Sequence, residues 1–249
     1  MTKNSKPSIK TRINKILPNW FILVRGHLKT HGAFPNIISP VTFNEKILCR
    51  NLFDRRSLLT QIADKAAVRS YVESRLGPQI LPELYYLTTR PDTIPFDDLS
   101  DRFVVKPTHG SGWVQLVTDK AILDRATLIK TCADWLKRSY HKETREAVYK
   151  HIEPRIIVEE FIDDGSGTAP NDYKLFVFDG TVKLIQVDTG RFIDHRRRLY
   201  TPAWEKLDVL LGEYEDVIGD VPRPVHLAEM IAAAQKLGDG WDFIRLNPA

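Results

Sequence analysis

Lys106 ends an apolar run, RFVVKP, and is followed at once by the turn THGSG and a second apolar run, WVQLV. An ammonium beside a glycine-rich turn is an anion-binding grouping. Two glycines and a serine let backbone N–H groups turn inward without side-chain obstruction. At ~4 Å and an effective dielectric near 20, one ammonium–phosphate contact supplies about 4 kcal/mol of gross attraction. The order, lysine before glycines, separates this stretch from familiar nucleotide loops. No GxxxxGK[ST] string occurs, and Gly110-Ser111-Gly112 runs from strand to strand rather than into a helix. A kinase glycine loop carries its lysine on the following strand, and neither HRD nor DFG is present. Taken alone, the stretch fits a glycine hairpin with a solvated lysine equally well.

Three other segments hold charged groups in suggestive places. Lys174 lies in DYKLFVF, apolar on both faces, where lysine is rarely buried unless paired. Asp172 is a partner at hand, or the lysine sits at the exposed strand end. In RIIVEEFI, strand alternation sends Glu159 and Glu160 to opposite faces. DTGRFIDHRRRLY gathers Arg191, His195, Arg196, Arg197 and Arg198 beside Asp188 and Asp194. Guanidinium forks suit phosphates and carboxylates, which makes Arg191 and Arg196 candidate catalytic residues and His195 a candidate general base. A solvated basic loop accounts for at least two of the three consecutive arginines. No HExxH, nucleophile elbow or Cys–His constellation accompanies them.

These residues need elements to place them. Thr42-Phe43-Asn44-Glu45 is a capping box opening a helix toward Cys49 and Phe53. A second helix is expected from about Asp64 to Leu76, with Val68, Tyr71, Val72 and Leu76 on one stripe and Gly77-Pro78 ending it. Pro91 to Asp101 is polar and proline-punctuated, a loop. Strands are expected at Phe103 to Lys106, Trp113 to Val117 and Arg155 to Ile162, with an amphipathic helix from Asp124 to Tyr140. Tyr173 to Phe178 and Val182 to Asp188 form a hairpin across Asp179-Gly180. A late helix runs from Leu227 to Leu237. Tight hairpins outnumber βαβ units, so the fold class is α+β with antiparallel sheets.

The chain's 249 residues suffice for one large domain or two interleaved lobes. A content of 43% hydrophobic and 27% charged residues is that of a soluble globule. Cys49 and Cys132 lie far apart, which points to a reducing, cytoplasmic setting without a zinc site. The net charge of +4 is unevenly spread: residues 1–44 carry +7 with no acid before Glu45, leaving 4 − 7 = −3 for the rest. A nucleic-acid binder should be basic along its working face, so nucleic acid is not an expected partner. No run approaches the ~18–20 apolar residues of a membrane span. The basic leader contains Trp20 and Phe21, and residues 3–29 would rest weakly on an anionic membrane at its inner face, or pack on the main body as a helix.

FNEKI, ADKAAVRSYV, FVVKPTHGSG, PRIIVEEFI, DYKLFVFDG and QVDTGRFIDHRRRLY follow one another in the order seen in TupA-like ATP-grasp proteins of bacterial polysaccharide and teichuronopeptide biosynthesis. The resemblance covers roughly Ile37 to Asn247. It implies two antiparallel-sheet lobes clasping ATP: a basic segment over 1–36, a helical part over 37–101, a small lobe over 102–162 and a large lobe over 163–249. Lys106 and Lys174 would hold the α- and β-phosphates, and His109, Gly110, Ser111 and Gly112 would form the lid. Glu159, Glu160, Phe161 and Ile162 would be the adenine hinge, with Asp163 or Asp164 reaching the ribose. The implied chemistry is ligation. A carboxylate, such as that of an acidic sugar, is phosphorylated by ATP, and an amine displaces the phosphate.

The family takes Mg²⁺ ligands from its last strands, where a strand like FVRVD precedes a Glu-x-Thr strand. Here FIRLNPA ends the sequence, Asn247 stands where aspartate is expected, and Asp188 is the acid left to serve beside it. An amide oxygen is a poorer magnesium anchor than a carboxylate. The expectation is therefore a ligase-type protein. Its rivals are a truncated or silent nucleotide- or glycan-binding protein and a glycosyltransferase, for which no convincing DxD motif is present.

Overall fold

The computed structural model describes residues 17–162, 171–190, 194–209, 212 and 214–247. The first elements are helices. Pro18 precedes α1 (Asn19–His31), which ends at Gly32, whose φ of +72° supplies the left-handed cap. None of its residues is buried. α2 (Phe43–Phe53) begins with the expected capping box: the Thr42 hydroxyl accepts from Glu45 N–H at 3.3 Å, and the Glu45 carboxylate accepts from Thr42 N–H at 2.9 Å. The helix expected from about Asp64 to Leu76 is present as α4 (Val68–Leu76), starting four residues late, and an unforeseen short helix, α3 (Ser57–Ala63), precedes it. The break is made by Asp64, whose carboxylate accepts from Ala66 N–H at 2.8 Å and Ala67 N–H at 3.3 Å. Such local side-chain bonds compete with the helical ladder.

The smaller sheet is antiparallel and built from β1 (Leu84–Thr88), β2 (Phe103–Pro107), β3 (Gln115–Val117) and β4 (Ile156–Glu160) in the order β1-β4-β2-β3. Helix α5 (Arg125–Lys137) covers it, capped by the Asp124 carboxylate, and a short α6 (Tyr140–Thr144) follows. Leu128, Cys132 and Trp135 of α5 pack on Phe103, Val105, Ile156 and Val158. The proline-punctuated stretch before β2 is more than a loop. It opens with a 3-10 turn at Pro91–Thr93 and sends Ile94, Phe96 and Leu99 into this core.

The larger sheet, also antiparallel, has the order β8-β7-β6-β5-β9: β5 (Asp172–Phe178), β6 (Thr181–Thr189), β7 (Arg196–Tyr200), β8 (Lys206–Leu207) and β9 (Phe243–Leu246). The β5–β6 turn falls on Asp179 and Gly180, with φ of +44° and +71°, the positive pair that a two-residue hairpin turn demands. Helix α7 (Leu227–Gly238) lies against this sheet, burying Leu227 and Ala234 with Leu175, Val177 and Ile185. Gly238 passes so near Val177 that a Cβ there would stand 2.5 Å from its Cγ1.

Helix α4 touches both sheets' territories. The Tyr71 hydroxyl donates to Leu237 O at 2.6 Å and accepts from Trp241 Nε1 at 2.8 Å, on the large-sheet side. Two residues earlier, Arg69 reaches Glu159 of β4. Among the described residues, no helix is long and apolar enough to cross a membrane.

Candidate functional site

In β2, Lys106 follows Val104 by two residues, and Val104 stands opposite Glu159 of β4. Strand alternation therefore puts Lys106 and Glu159 on one face. Their ion pair measures 2.6 Å, and Arg69 Nη1 meets the other Glu159 oxygen at 3.2 Å. The Glu159 side chain is 6% exposed and that of Lys106 29%. Glu160 takes the opposite face, exposed, and accepts from Glu83 N–H at 3.0 Å. Beyond it, the Phe161 ring lies 4.2 Å under the Arg102 guanidinium, and Ile162 is partly exposed. Asp163 lies outside the described residues.

A residue not foreseen from the sequence shapes the glycine turn. Lys65, in the α3–α4 break, donates its backbone N–H to Thr108 O at 3.2 Å and its ammonium to Pro107 O at 3.2 Å and to Gly110 O. Burial pulls the Lys65 ammonium down to about 8, and the nearby Lys106 charge adds to the effect. Thr108, His109 and Gly110 are buried in this arrangement. His109 Nε2 lies 3.1 Å from Trp135 O, and burial lowers the imidazole's pKa, so a neutral ring donates there. A Cβ on Gly110 would come within 2.9 Å of the Trp113 ring. Ser111 and Gly112 are exposed, and Gly112 has φ of +77°. The turn is thus half anchored, with His109 as part of the anchor, and half open to a ligand.

The larger sheet assembles a second cluster by register alone. Asp172 stands opposite Asp188, Lys174 opposite Gln186, and Asp188 opposite Arg197. All five side chains share a face. Lys174 Nζ bonds Asp172 at 2.8 Å and also Asp188. Arg197 grips both Asp188 oxygens, at 2.6 and 3.2 Å, and the Gln186 amide donates to them at 3.0 and 2.9 Å. Burial alone would raise the Asp188 carboxyl. The bonds from Arg197 and Lys174 outweigh it and hold the group well below the usual carboxylate range. His195 Nε2 is 3.5 Å from Asp188 Oδ1, and its ring lies 4.3 Å from that of Tyr214. Gln186 Oε1 and His195 Nε2 are buried without a hydrogen-bond partner.

The three consecutive arginines are not a solvated loop. They form β7, and alternation divides them. Arg197 faces Asp188, whereas Arg196 pairs with Asp194 and Glu215 and Arg198 with Asp216 and Gly219 O. Arg197, rather than Arg196, belongs to the buried cluster, because the β6–β7 register sets it directly opposite Asp188. Arg191 lies outside the described residues. For magnesium the fit is poor. Both Asp188 oxygens are engaged by cations, Asn247 is neutral and exposed, and no group of three His, Cys, Asp or Glu residues converges among the described residues.

A family model described as TupA-like ATPgrasp matches residues 45–247. A comparison with curated proteins found no match. Among solved structures, the D-alanine–D-alanine ligase of Bacillus anthracis complexed with ATP is similar at 16% identity and TM-score 0.44, over 76% of this chain and 52% of that one. The D-cycloserine synthetase DcsG is similar at 15% and 0.38, over 76% and 58%. The ATP-grasp ligase PsnB, complexed with a minimal precursor, is similar at 11% and 0.36, over 76% and 47%. The chain spans about half the length of these structures.

Proposed function

The chain belongs to the TupA-like ATP-grasp family, and from that premise we propose that it binds ATP as an ATP-dependent ligase of cell-surface polysaccharide assembly. The observation that carries the reading is the small-sheet cluster. Three cations, Lys65, Arg69 and Lys106, gather about one buried carboxylate, Glu159, beside a glycine turn whose Ser111 and Gly112 face solvent. The excess positive charge calls for an anion of the charge density of a polyphosphate. Lys106 and Lys174 would take the α- and β-phosphates, Ser111 and Gly112 would close over them, and Glu160 to Ile162 would line the adenine, with Asp163 at the ribose.

In the reaction proposed, a carboxylate oxygen of the acceptor, an acidic sugar or similar compound, attacks the γ-phosphorus, and ADP leaves. An amine then attacks the acyl carbon, loses a proton and expels phosphate. Arg191, Arg196 and His195 stand on the acceptor side of this scheme, with Arg197 added by its place beside Asp188. The protein's part is alignment and charge neutralisation of the moving phosphoryl group. The setting is cytoplasmic, where ATP is found.

A second reading, nucleotide or glycan binding without turnover, is favoured by one observation: Asp188 is closed off by Lys174 and Arg197. Calorimetric titration with ATP, followed by assay of ADP and phosphate release in the presence of a uronic acid and an amine, separates the two. Binding weakened at least ~tenfold by Lys106→Met, together with ADP release, supports the ligase. Binding without release supports the second reading, and no binding overturns both.

A further inference from the structure

We infer that the N-terminal helical face, formed by α1, the loop over residues 34–42 and the end of α2, docks on an anionic lipid bilayer. The inference does not depend on the proposed ligase chemistry. Eight of the sixteen large apolar side chains exposed among the described residues fall within residues 20–53, so the exposure is concentrated rather than scattered. Helix α1 contains five consecutive apolar residues, Trp20 to Val24, and none of them is buried. Trp20 is 57% exposed. Trp20, Ile37 and Phe53 line one cavity of about 400 Å³, together with Arg55 and Arg145, so α1, the loop and the end of α2 adjoin one another.

The loop is ordered the wrong way round for water. The Glu45 carboxylate accepts from the N–H groups of Asn36 at 2.8 Å, Val41 at 3.0 Å and Thr42 at 2.9 Å. The Asn36 side-chain oxygen accepts from Ile38 N–H at 3.2 Å and Ser39 N–H at 2.9 Å. Five of the seven N–H groups of residues 34–42 are thereby satisfied internally, while Ile38 is 95% and Val41 75% exposed. A segment with most of its N–H groups satisfied and its aliphatic side chains outermost is suited to an apolar interface.

Charge selects the occupant. Seven Lys and Arg residues precede the first acid of the chain, Glu45, and that one acid is turned into the loop. Arg25 and Lys29 lie on α1 itself, exposed. A second copy of the chain would set Arg25 and Lys29 of one face against those of another, whereas anionic headgroups complement them. Each basic residue near such a surface strengthens binding about fivefold.

The test is flotation of the full chain with vesicles of phosphatidylcholine, with and without phosphatidylglycerol. The expected result is flotation with the anionic vesicles alone. It should weaken at least ~tenfold in the Ile38→Asp/Val41→Asp variant and similarly in Arg25→Glu/Lys29→Glu, and fall with salt. Circular dichroism and ATP binding of the variants should be unchanged. Equal binding to both vesicle types, or binding untouched by Ile38→Asp/Val41→Asp, overturns the proposal. So does absence of flotation, including the case where the chain instead forms dimers that the same variant dissolves.

Discussion

The two lysines singled out by the sequence sit in clusters of opposite temper. Around Glu159, cations outnumber the carboxylate, and Lys106 keeps 29% of its side chain exposed. Around Asp188, Lys174 and Arg197 are matched by Asp172 and Asp188, and the Lys174 side chain is only 10% exposed. The first cluster has charge to offer an incoming anion at once. The second is balanced in itself, and a phosphate reaching Lys174 must compete with two carboxylates. The two clusters thus differ in charge balance and exposure, although both hang on the same arithmetic of strand register.

Removing the central carboxylate of each cluster should break the two to different extents. Asp188→Asn leaves Arg197 without its carboxylate and Lys174 with half of its partners. A loss of about 3–5 kcal/mol in denaturant unfolding is expected, the range for stripping one partner from a buried pair. The same carboxylate sets an acid limit. Its folded pKa lies below the ordinary 3.8, so its stabilisation is fully present above that value and disappears only as pH falls through the lower folded value. Acid titration of the Asn variant should lack this component. Glu159→Gln should cost less, about 1–2 kcal/mol, because Lys106 can turn to water.

Lys65 offers a finer probe of the first cluster. Its pKa falls from 10.5 to about 8 on folding. Between those values the unfolded chain binds more protons, so this group's contribution to stability rises with pH across the window. Thermal melts of Lys65→Met against the parent, from pH 7 to 10.5, should show the parent alone gaining in that range. The smallest effect on stability is expected of Lys106→Met, under ~1 kcal/mol, since a partly exposed pair contributes little. If Lys106→Met unfolds the chain as readily as Asp188→Asn, the contrast between the clusters is wrong.

Much of the scaffold could be read in advance because its signals are local. The Thr42–Glu45 capping box, the Asp179-Gly180 turn and the alternation of Glu159 and Glu160 each depend on a few neighbouring residues, and each is present. The helix expected from Asp64 starts only at Val68 for an equally local reason, since the Asp64 carboxylate takes the N–H groups of Ala66 and Ala67 into a turn before the helix begins. The clusters were harder. Arg69 and Glu159 are 90 residues apart, and Lys65 and Gly110 are 45 apart. Nothing in a hydrophobic period announces such pairings. Arg197 was accessible from strand alternation, but only once β7 was recognised as a strand rather than a loop.

The short helix α4 has a mechanical consequence. Tyr71 bolts it to Leu237 and Trp241, while Arg69 hooks it to Glu159. The two sheets are thereby hung on a common post. A substitution that loosens α4, such as Tyr71→Phe, would therefore be felt at Glu159 as well as at Trp241.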